Sequence, residues 1–164
     1  MQNSLKIVLA YGVSDLTSAR YLAAMEVDYL LLNLDDSSYE ENLEFIKQLN
    51  DWIEGPILIG VAENSDKIEV YNSLNILFDT IPFGDLNSRK FKLNHPKFGD
   101  LQFSLNKNNK EKFFDEMIGL SVQPLDENQE LTEIKAYLIS IDKEEKKGIY
   151  NFEKLDLMFE AMDC

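Results

Sequence analysis

Short apolar runs alternate with amphipathic stretches along the first 62 residues. Segments 5–11, 28–34 and 56–62 are nearly continuous in apolar side chains, which is typical of parallel strands covered on both faces. Between them, a segment that Ser14 or Asp15 can cap and the segment 40–54 carry apolar residues at spacings of three and four, the pattern of amphipathic helices. This alternation with short links predicts a parallel α/β domain.

The rest of the chain has a less regular pattern. It predicts strands at 75–82, 101–105, 120–124 and 136–141, and helical segments at 65–75, 107–118, 127–134 and 151–162. Residues 84–99 are predicted to form a loop that contains a cluster of basic side chains. This loop either is solvated or binds an acidic partner or a phosphate. Because no linker or repeat interrupts the pattern, we expect one domain over residues 1–164.

Charge and cysteine content narrow the class of protein. The chain has 30 acidic and 16 basic residues and a net charge of −14, which repels phosphate backbones and anionic lipid heads. We therefore expect neither nucleic acid nor membrane as a partner. Cys164 is the one cysteine, so no intrachain disulfide can form, which fits a reducing compartment. The first residues lack the features of a signal peptide, and together these observations predict a cytoplasmic protein.

Four segments carry motifs that resemble a known family. Residues 10–20 (AYGVSDLTSAR) are similar to a strand-and-helix motif of the phosphoribosylanthranilate isomerases, the (β/α)8-barrel enzymes of tryptophan synthesis. Residues 59–64 (IGVAEN), 138–143 (LISIDK) and 148–153 (GIYNFE) resemble later motifs in the same order. Such barrels typically need about 250 residues. The resemblance therefore implies an incomplete TIM-barrel-like fold of about six parallel β/α units.

The resemblance implies two catalytic positions. The family reaction is an Amadori rearrangement, which needs a general acid and a general base. Tyr11 stands where the family has its basic cysteine, and Asp142 stands where the family has its acidic aspartate. A phenol has an unperturbed pKa of about 10 and is a poor base at neutral pH, so Tyr11 is alternatively a packing or ligand-lining ring. Asp142 is alternatively a residue that begins a helix or turn.

The expected ligand site lies where the first two strands end. Gly12, Asn33 and Asp35 are the predicted ligand-contacting residues. The loop 35–39 lacks the arginine with which the family holds the substrate carboxylate, and no glycine pair supplies its phosphate loops. Asp35 and Asp36 with Asp142 or Asp79 are either a divalent-cation site or ordinary surface carboxylates.

We expect no bound metal and no cofactor. His95, the one histidine, is predicted to lie in a turn, as either a solvent-exposed or a hydrogen-bonded structural residue.

Two functions follow from these expectations. The first is a binding or regulatory protein that has lost isomerase activity and takes a small-molecule ligand. An incomplete barrel exposes sheet edges, so a homodimer or another protein is expected to cover them. The alternative is an active isomerase that acts on phosphoribosylanthranilate or on a related small sugar phosphate.

Overall fold

The computed structural model describes residues 5–35, 37–63, 79–82, 90–96, 98–105, 117–125 and 134–141, and helical positions 156, 157, 159, 160 and 162. Its strands are β1 (Leu5–Tyr11), β2 (Tyr29–Asn33), β3 (Ile57–Ala62), β4 (Asp79–Pro82), β5 (Lys90–His95), β6 (Gly99–Leu105), β7 (Met117–Pro124) and β8 (Ile134–Ser140). The helices with defined ends are α1 (Leu16–Ala24) and α2 (Tyr39–Trp52). In the part of the chain described, no helix is both long enough and apolar enough to cross a membrane.

All eight strands belong to one mixed sheet in the order β4-β3-β2-β1-β8-β7-β6-β5. The pairs from β4 to β8 are parallel, and the pairs from β8 to β5 are antiparallel. β1 lies in the centre and pairs along its whole length with β8, from Leu5 opposite Ile134 to Tyr11 opposite Ser140. Strands β4 and β5 stand at the two ends of this order.

The expected incomplete TIM barrel is therefore wrong. The first half of the chain does form parallel β/α units, but β5, β6 and β7 follow one another as antiparallel strands. Their side chains alternate, with Phe91, Leu93, Leu101 and Phe103 buried and Lys92 exposed between the first two. This alternation is typical of an antiparallel sheet with one solvated face, which needs no covering helices.

Several local predictions change with this correction. The predicted loop 84–99 contains strand β5 and the hairpin to β6, in which Gly99 takes a φ of +73°. Residues 117 and 118, predicted to end a helix, begin β7 instead. The predicted helix 65–75 and most of the segments 107–118 and 127–134 lie outside the described residues. The final segment 151–162 is helical at each of its described positions.

Two apolar clusters lie on opposite faces of the sheet. The outer cluster packs α1, α2, Phe159 and Met162 against alternate residues of β1 and β2, such as Val8 and Leu30. The inner cluster joins the other face of β1 and β2 to β5 and β6. Tyr29 of β2 meets Phe103 of β6 edge-to-face at 6.4 Å between ring centroids, although these strands are not neighbours in the sheet. The sheet is therefore curled into a half-barrel around this inner cluster.

Candidate functional site

A cleft of about 170 Å³ lies where β1 and β2 end and α2 begins, and we call it the carboxyl-end cleft. Its apolar lining comes from Val13, Leu32, Leu34, Phe45 and Ile46. Its polar lining comes from Gly12, Ser14, Asn33, Ser37, Glu41 and Asn42. The structure thus brings together Gly12 and Asn33, two of the three residues predicted to contact a ligand.

Gly12 shapes the wall of this cleft beside β1. It takes a φ of +89°, a conformation that is unfavourable for residues with a side chain. A Cβ atom at this position would lie 3.2 Å from the carbonyl oxygen of Ile141. The backbone N–H of Gly12 donates to Leu31 O at 3.0 Å, which holds the turn against β2. The glycine is therefore required by the fold, whether or not a ligand binds.

The loop between β2 and α2 is braced by its own side chains. Asn33 Oδ1 accepts a hydrogen bond from Asp35 N at 3.0 Å, and Asp35 Oδ2 accepts one from Glu63 N at 2.8 Å. The amide of Asn42, which is buried, donates to Leu34 O at 2.8 Å. Asp35 therefore ties this loop to the end of β3, and it is not among the residues that line the cleft.

The first turn of α2 brings a negative charge to the cleft. Ser38 caps the helix, because Glu41 N donates to Ser38 Oγ at 3.2 Å while Ser38 Oγ donates to Glu41 Oε1 at 3.1 Å. Among the described residues that line the cleft, Glu41 is the ionisable one, and neither lysine nor arginine is present. The cleft therefore favours a neutral or cationic ligand over a phosphate or carboxylate.

Of the two predicted catalytic residues, Tyr11 and Asp142, the structure describes Tyr11 alone. Tyr11 is half-buried, packs against the inner cluster and is not a lining residue. Its strand register places it opposite Ser140. Asp142 lies outside the described residues; the residue before it, Ile141, donates its N–H to Tyr11 O at 2.8 Å. The catalytic roles of Tyr11 and Asp142 stay predictions.

A second cleft, of about 360 Å³, lies at the opposite ends of β2 and β3. Its ionisable residues are Glu26, Asp28, Glu54 and His95. Asp28 Oδ2 accepts a hydrogen bond from Val8 N at 2.8 Å, and Asp28 Oδ1 lies 3.3 Å from His95 Nε2. Because His95 ends β5, this contact joins the edge strand β5 to the start of β2.

His95 is built into the core at this contact. It is 8% exposed, and its ring stacks on Phe98 with centroids 4.8 Å apart. Of the two roles predicted for His95, this agrees with the hydrogen-bonded structural one and contradicts the solvent-exposed one, and the residue ends a strand instead of lying in an isolated turn. The sequence holds no signal for its pairing with Asp28, since 67 positions separate the two residues.

Tyr29 supports the same junction from inside the half-barrel. Its side chain is fully buried, and its hydroxyl donates to Asn94 O at 2.8 Å. Burial raises the pKa of the Tyr29 phenol well above its usual value, and the neighbouring Asp28 carboxylate raises it further. Tyr29 is thus a neutral donor that holds the end of β5 against β2.

Within the described residues, no three His, Cys, Asp or Glu side chains converge so that they could hold a metal ion. Asp36 and Asp142, which belong to the carboxylate group considered from the sequence, lie outside those residues. Comparison with models of protein families, with curated proteins and with solved structures found no match for this chain.

Proposed function

We propose that this chain is a non-catalytic, cytoplasmic binding protein and that the carboxyl-end cleft is its ligand site. One observation carries the proposal: the cleft lies at the carboxyl ends of two adjacent parallel strands and combines an apolar wall with polar groups. In sheets of this kind, ligands bind in the crevice outside the carboxyl ends of the strands. Gly12 and Asn33, which end or follow these strands, line the cleft.

The size and charge of the cleft define the class of ligand. A cavity of about 150 Å³ accommodates one benzene molecule. At about 170 Å³, the carboxyl-end cleft therefore suits a single-ring compound or one end of a larger ligand. Its apolar wall favours a partly apolar molecule, and Glu41 favours a neutral or cationic one. An amine or alcohol attached to a small ring has this chemistry.

The arrangement of titratable groups supports binding without catalysis. Proton transfer in an isomerisation needs an acid and a base within reach of the same substrate atom. In the described lining of the cleft, Glu41 stands as a single carboxylate, and one of its oxygens already accepts from Ser38. The described lining also holds no cationic side chain for a sugar phosphate. Isomerase activity and a homodimer that covers the sheet edges both stay predictions.

The test of the binding site uses three probes of nearly the same shape: benzylamine, benzyl alcohol and benzoate. In ¹H–¹⁵N NMR titrations, we expect benzylamine and benzyl alcohol to shift the amides of Gly12, Asn33 and Glu41, and benzoate to leave them in place. Glu41→Gln should remove the preference for benzylamine over benzyl alcohol. Glu40→Gln, an exposed change in the same helical turn that does not line the cleft, is the matched control. Equal shifts with benzoate, or none with any probe at these amides, would refute the proposed site.

A separate assay tests the absence of catalysis. The purified chain is incubated with phosphoribosylanthranilate, and loss of substrate fluorescence is followed against an Asp142→Ala variant. We expect no turnover by either protein. Turnover by the wild-type chain that Asp142→Ala abolishes would show that the chain is an active isomerase and would overturn the proposal that it is non-catalytic.

A further inference from the structure

The loop after β2 fixes the orientation of the Asn33 side chain. Asp35 N donates to Asn33 Oδ1 at 3.0 Å, and Asp35 Oδ2 in turn accepts from Glu63 N at 2.8 Å. Because only the oxygen of an amide side chain can accept from a backbone N–H, this bond decides which end of the Asn33 amide faces the loop. The NH2 group is then at the end that turns away from Asp35 N.

The NH2 group of Asn33 has no acceptor within the part of the chain that the structure describes. Among the described residues, no side-chain nitrogen or oxygen is both buried and without a hydrogen-bond partner. The NH2 group is therefore open to solvent, which agrees with the half-buried state of Asn33. Since Asn33 lines the carboxyl-end cleft, its N–H groups are donors that a bound ligand can use.

Glu41 supplies a complementary acceptor from the first turn of α2. Its Oε1 accepts from Ser38 Oγ at 3.1 Å, and this bond restrains a side chain that is otherwise exposed. Its Oε2 has no hydrogen bond to any of the described residues. A carboxylate oxygen accepts hydrogen bonds and cannot donate them, so Oε2 selects an N–H or O–H donor, and its charge favours a cation.

The other polar side chains of the cleft constrain a ligand less. The Asn42 amide already donates to two backbone carbonyls of the loop, at 2.8 Å and 3.3 Å. The hydroxyls of Ser14 and Ser37 can each donate or accept. Asn33 as a donor and Glu41 as a charged acceptor therefore set the polarity that a ligand must match.

We propose, resting on the function proposed for the carboxyl-end cleft, that its ligand is a primary amine with a small apolar ring and a neutral oxygen acceptor, such as an ether, a carbonyl or a hydroxyl. The ammonium donates to Glu41 Oε2, the oxygen accepts from Asn33 Nδ2, and the ring packs on the apolar wall. Because the cleft holds about one benzene-sized group, all three belong to one compact molecule. An amine without the acceptor covers the Asn33 N–H groups and leaves them unpaired, which weakens its binding.

The test compares 2-methoxy-1-phenylethylamine with 1-phenylbutylamine. Both are benzylamines with a side chain of the same length, but the first has an ether oxygen where the second has a methylene group. The ether oxygen accepts hydrogen bonds and cannot donate them. In NMR titrations of the full chain that follow the amides of Gly12, Asn33 and Glu41, we expect the ether to bind more tightly than the hydrocarbon by about two- to tenfold, the gain from one hydrogen bond.

Asn33→Asp keeps the oxygen that accepts from Asp35 N and replaces the NH2 group by a second oxygen. It should bind benzylamine more tightly, because it adds a negative charge to the cleft. It should also lose the preference for the ether, whose oxygen then faces an acceptor. A variant that failed to fold could not show both changes. Asn50→Asp makes the same substitution at an exposed position of α2 outside the cleft and should alter neither property.

The outcomes distinguish the class of ligand from the location of the site. If none of the amines shifts the cleft amides, both proposals fail. If benzylamine binds but the wild-type chain binds the ether no more tightly than the hydrocarbon, the class of ligand is wrong and the cleft remains a binding site. The same conclusion follows if a folded Asn33→Asp keeps the preference for the ether, or if Asn50→Asp removes it equally.

Discussion

Replacing Tyr29 by phenylalanine removes one oxygen atom from the junction between β2 and β5. The hydroxyl donates to Asn94 O at 2.8 Å, and the ring that carries it is fully buried. A hydrogen bond of this kind contributes about 1 kcal/mol net, and leaving a buried carbonyl without a donor costs about 1–3 kcal/mol. Since Asn94 stands on an edge strand where water can partly replace the donor, we expect Tyr29→Phe to lower the free energy of unfolding by about 1–2 kcal/mol at pH 8.

The stability lost in Tyr29→Phe should depend on pH. Below pH 10, the phenol is protonated in both the folded and the unfolded chain, so the loss is constant. Above that pH, the unfolded chain ionises Tyr29 first, because burial raises the pKa of the folded phenol. The stability contributed by Tyr29 is then lost as pH rises, by about 1.4 kcal/mol per pH unit. We therefore expect the wild-type and Tyr29→Phe stabilities to become equal near pH 11.

Urea unfolding followed by circular dichroism at pH 8, 9, 10 and 11 measures both effects. With a slope of about 2 kcal/mol per molar urea, the expected loss at pH 8 moves the midpoint by about 0.5–1 M. Tyr39→Phe, which removes a half-buried phenol from the first turn of α2, controls for loss of a phenol as such. A stability difference between wild type and Tyr29→Phe that is unchanged from pH 8 to pH 11 would refute the reasoning.

Three further changes test the fold by denaturant unfolding. Glu26 follows α1 at a φ of +62°, so Glu26→Gly should stabilise the chain by about 0.5–1 kcal/mol, whereas Glu26→Ala should not. Equal effects of the two substitutions would argue against backbone strain at this position. Gly12→Ala should lower the free energy of unfolding by about 1–3 kcal/mol, which is more than Gly55→Ala should lower it. Both glycines have a positive φ, but only at Gly12 does a backbone atom lie close to the added Cβ. Phe103→Ala should lower the free energy of unfolding by about 3–5 kcal/mol, whereas Gln102→Ala on the opposite face of β6 should change it by less than about 0.5 kcal/mol. Similar losses from the two substitutions would contradict the assigned faces of β6.

The sequence was sufficient for the first half of the fold. The bounds of β1, β2, β3 and α2 were predicted within one or two residues, and Asp15, one of the two residues predicted to cap α1, does cap it. These runs are continuous because both faces of each strand are covered, on one side by helices and on the other by the inner cluster. Local pattern and local structure agree there, so little beyond the pattern was needed.

The prediction for the second half of the fold was wrong because it extended the parallel strand pairing of the first half to the later strands. The alternation of Phe91 and Leu93 around Lys92, and of Leu101 and Phe103 around Gln102, is the signal of a half-exposed antiparallel sheet. That alternation predicts antiparallel strands with one exposed face and not the parallel strands of a barrel.

For the site, Gly12 and Asn33, predicted from the strand ends to contact a ligand, both line the cleft, and their contact with a ligand stays a prediction. No local pattern reveals that Asp35 accepts a hydrogen bond from Glu63 N. The contact of Asp28 with His95 is equally hidden, because only the curl of the sheet brings β2 and β5 together.

The central ladder between β1 and β8 has a consequence for how the chain is made. Leu5 pairs with Ile134, so the middle of the sheet cannot form until the chain has left the ribosome beyond residue 134. Until then, β1 has an unpaired apolar edge beside a partly assembled β/α unit, a state that is prone to aggregation. Pairings between distant parts of a chain also slow folding. Newly made chains should therefore depend on chaperones that hold the segment from β1 to β3 during synthesis, until β8 emerges.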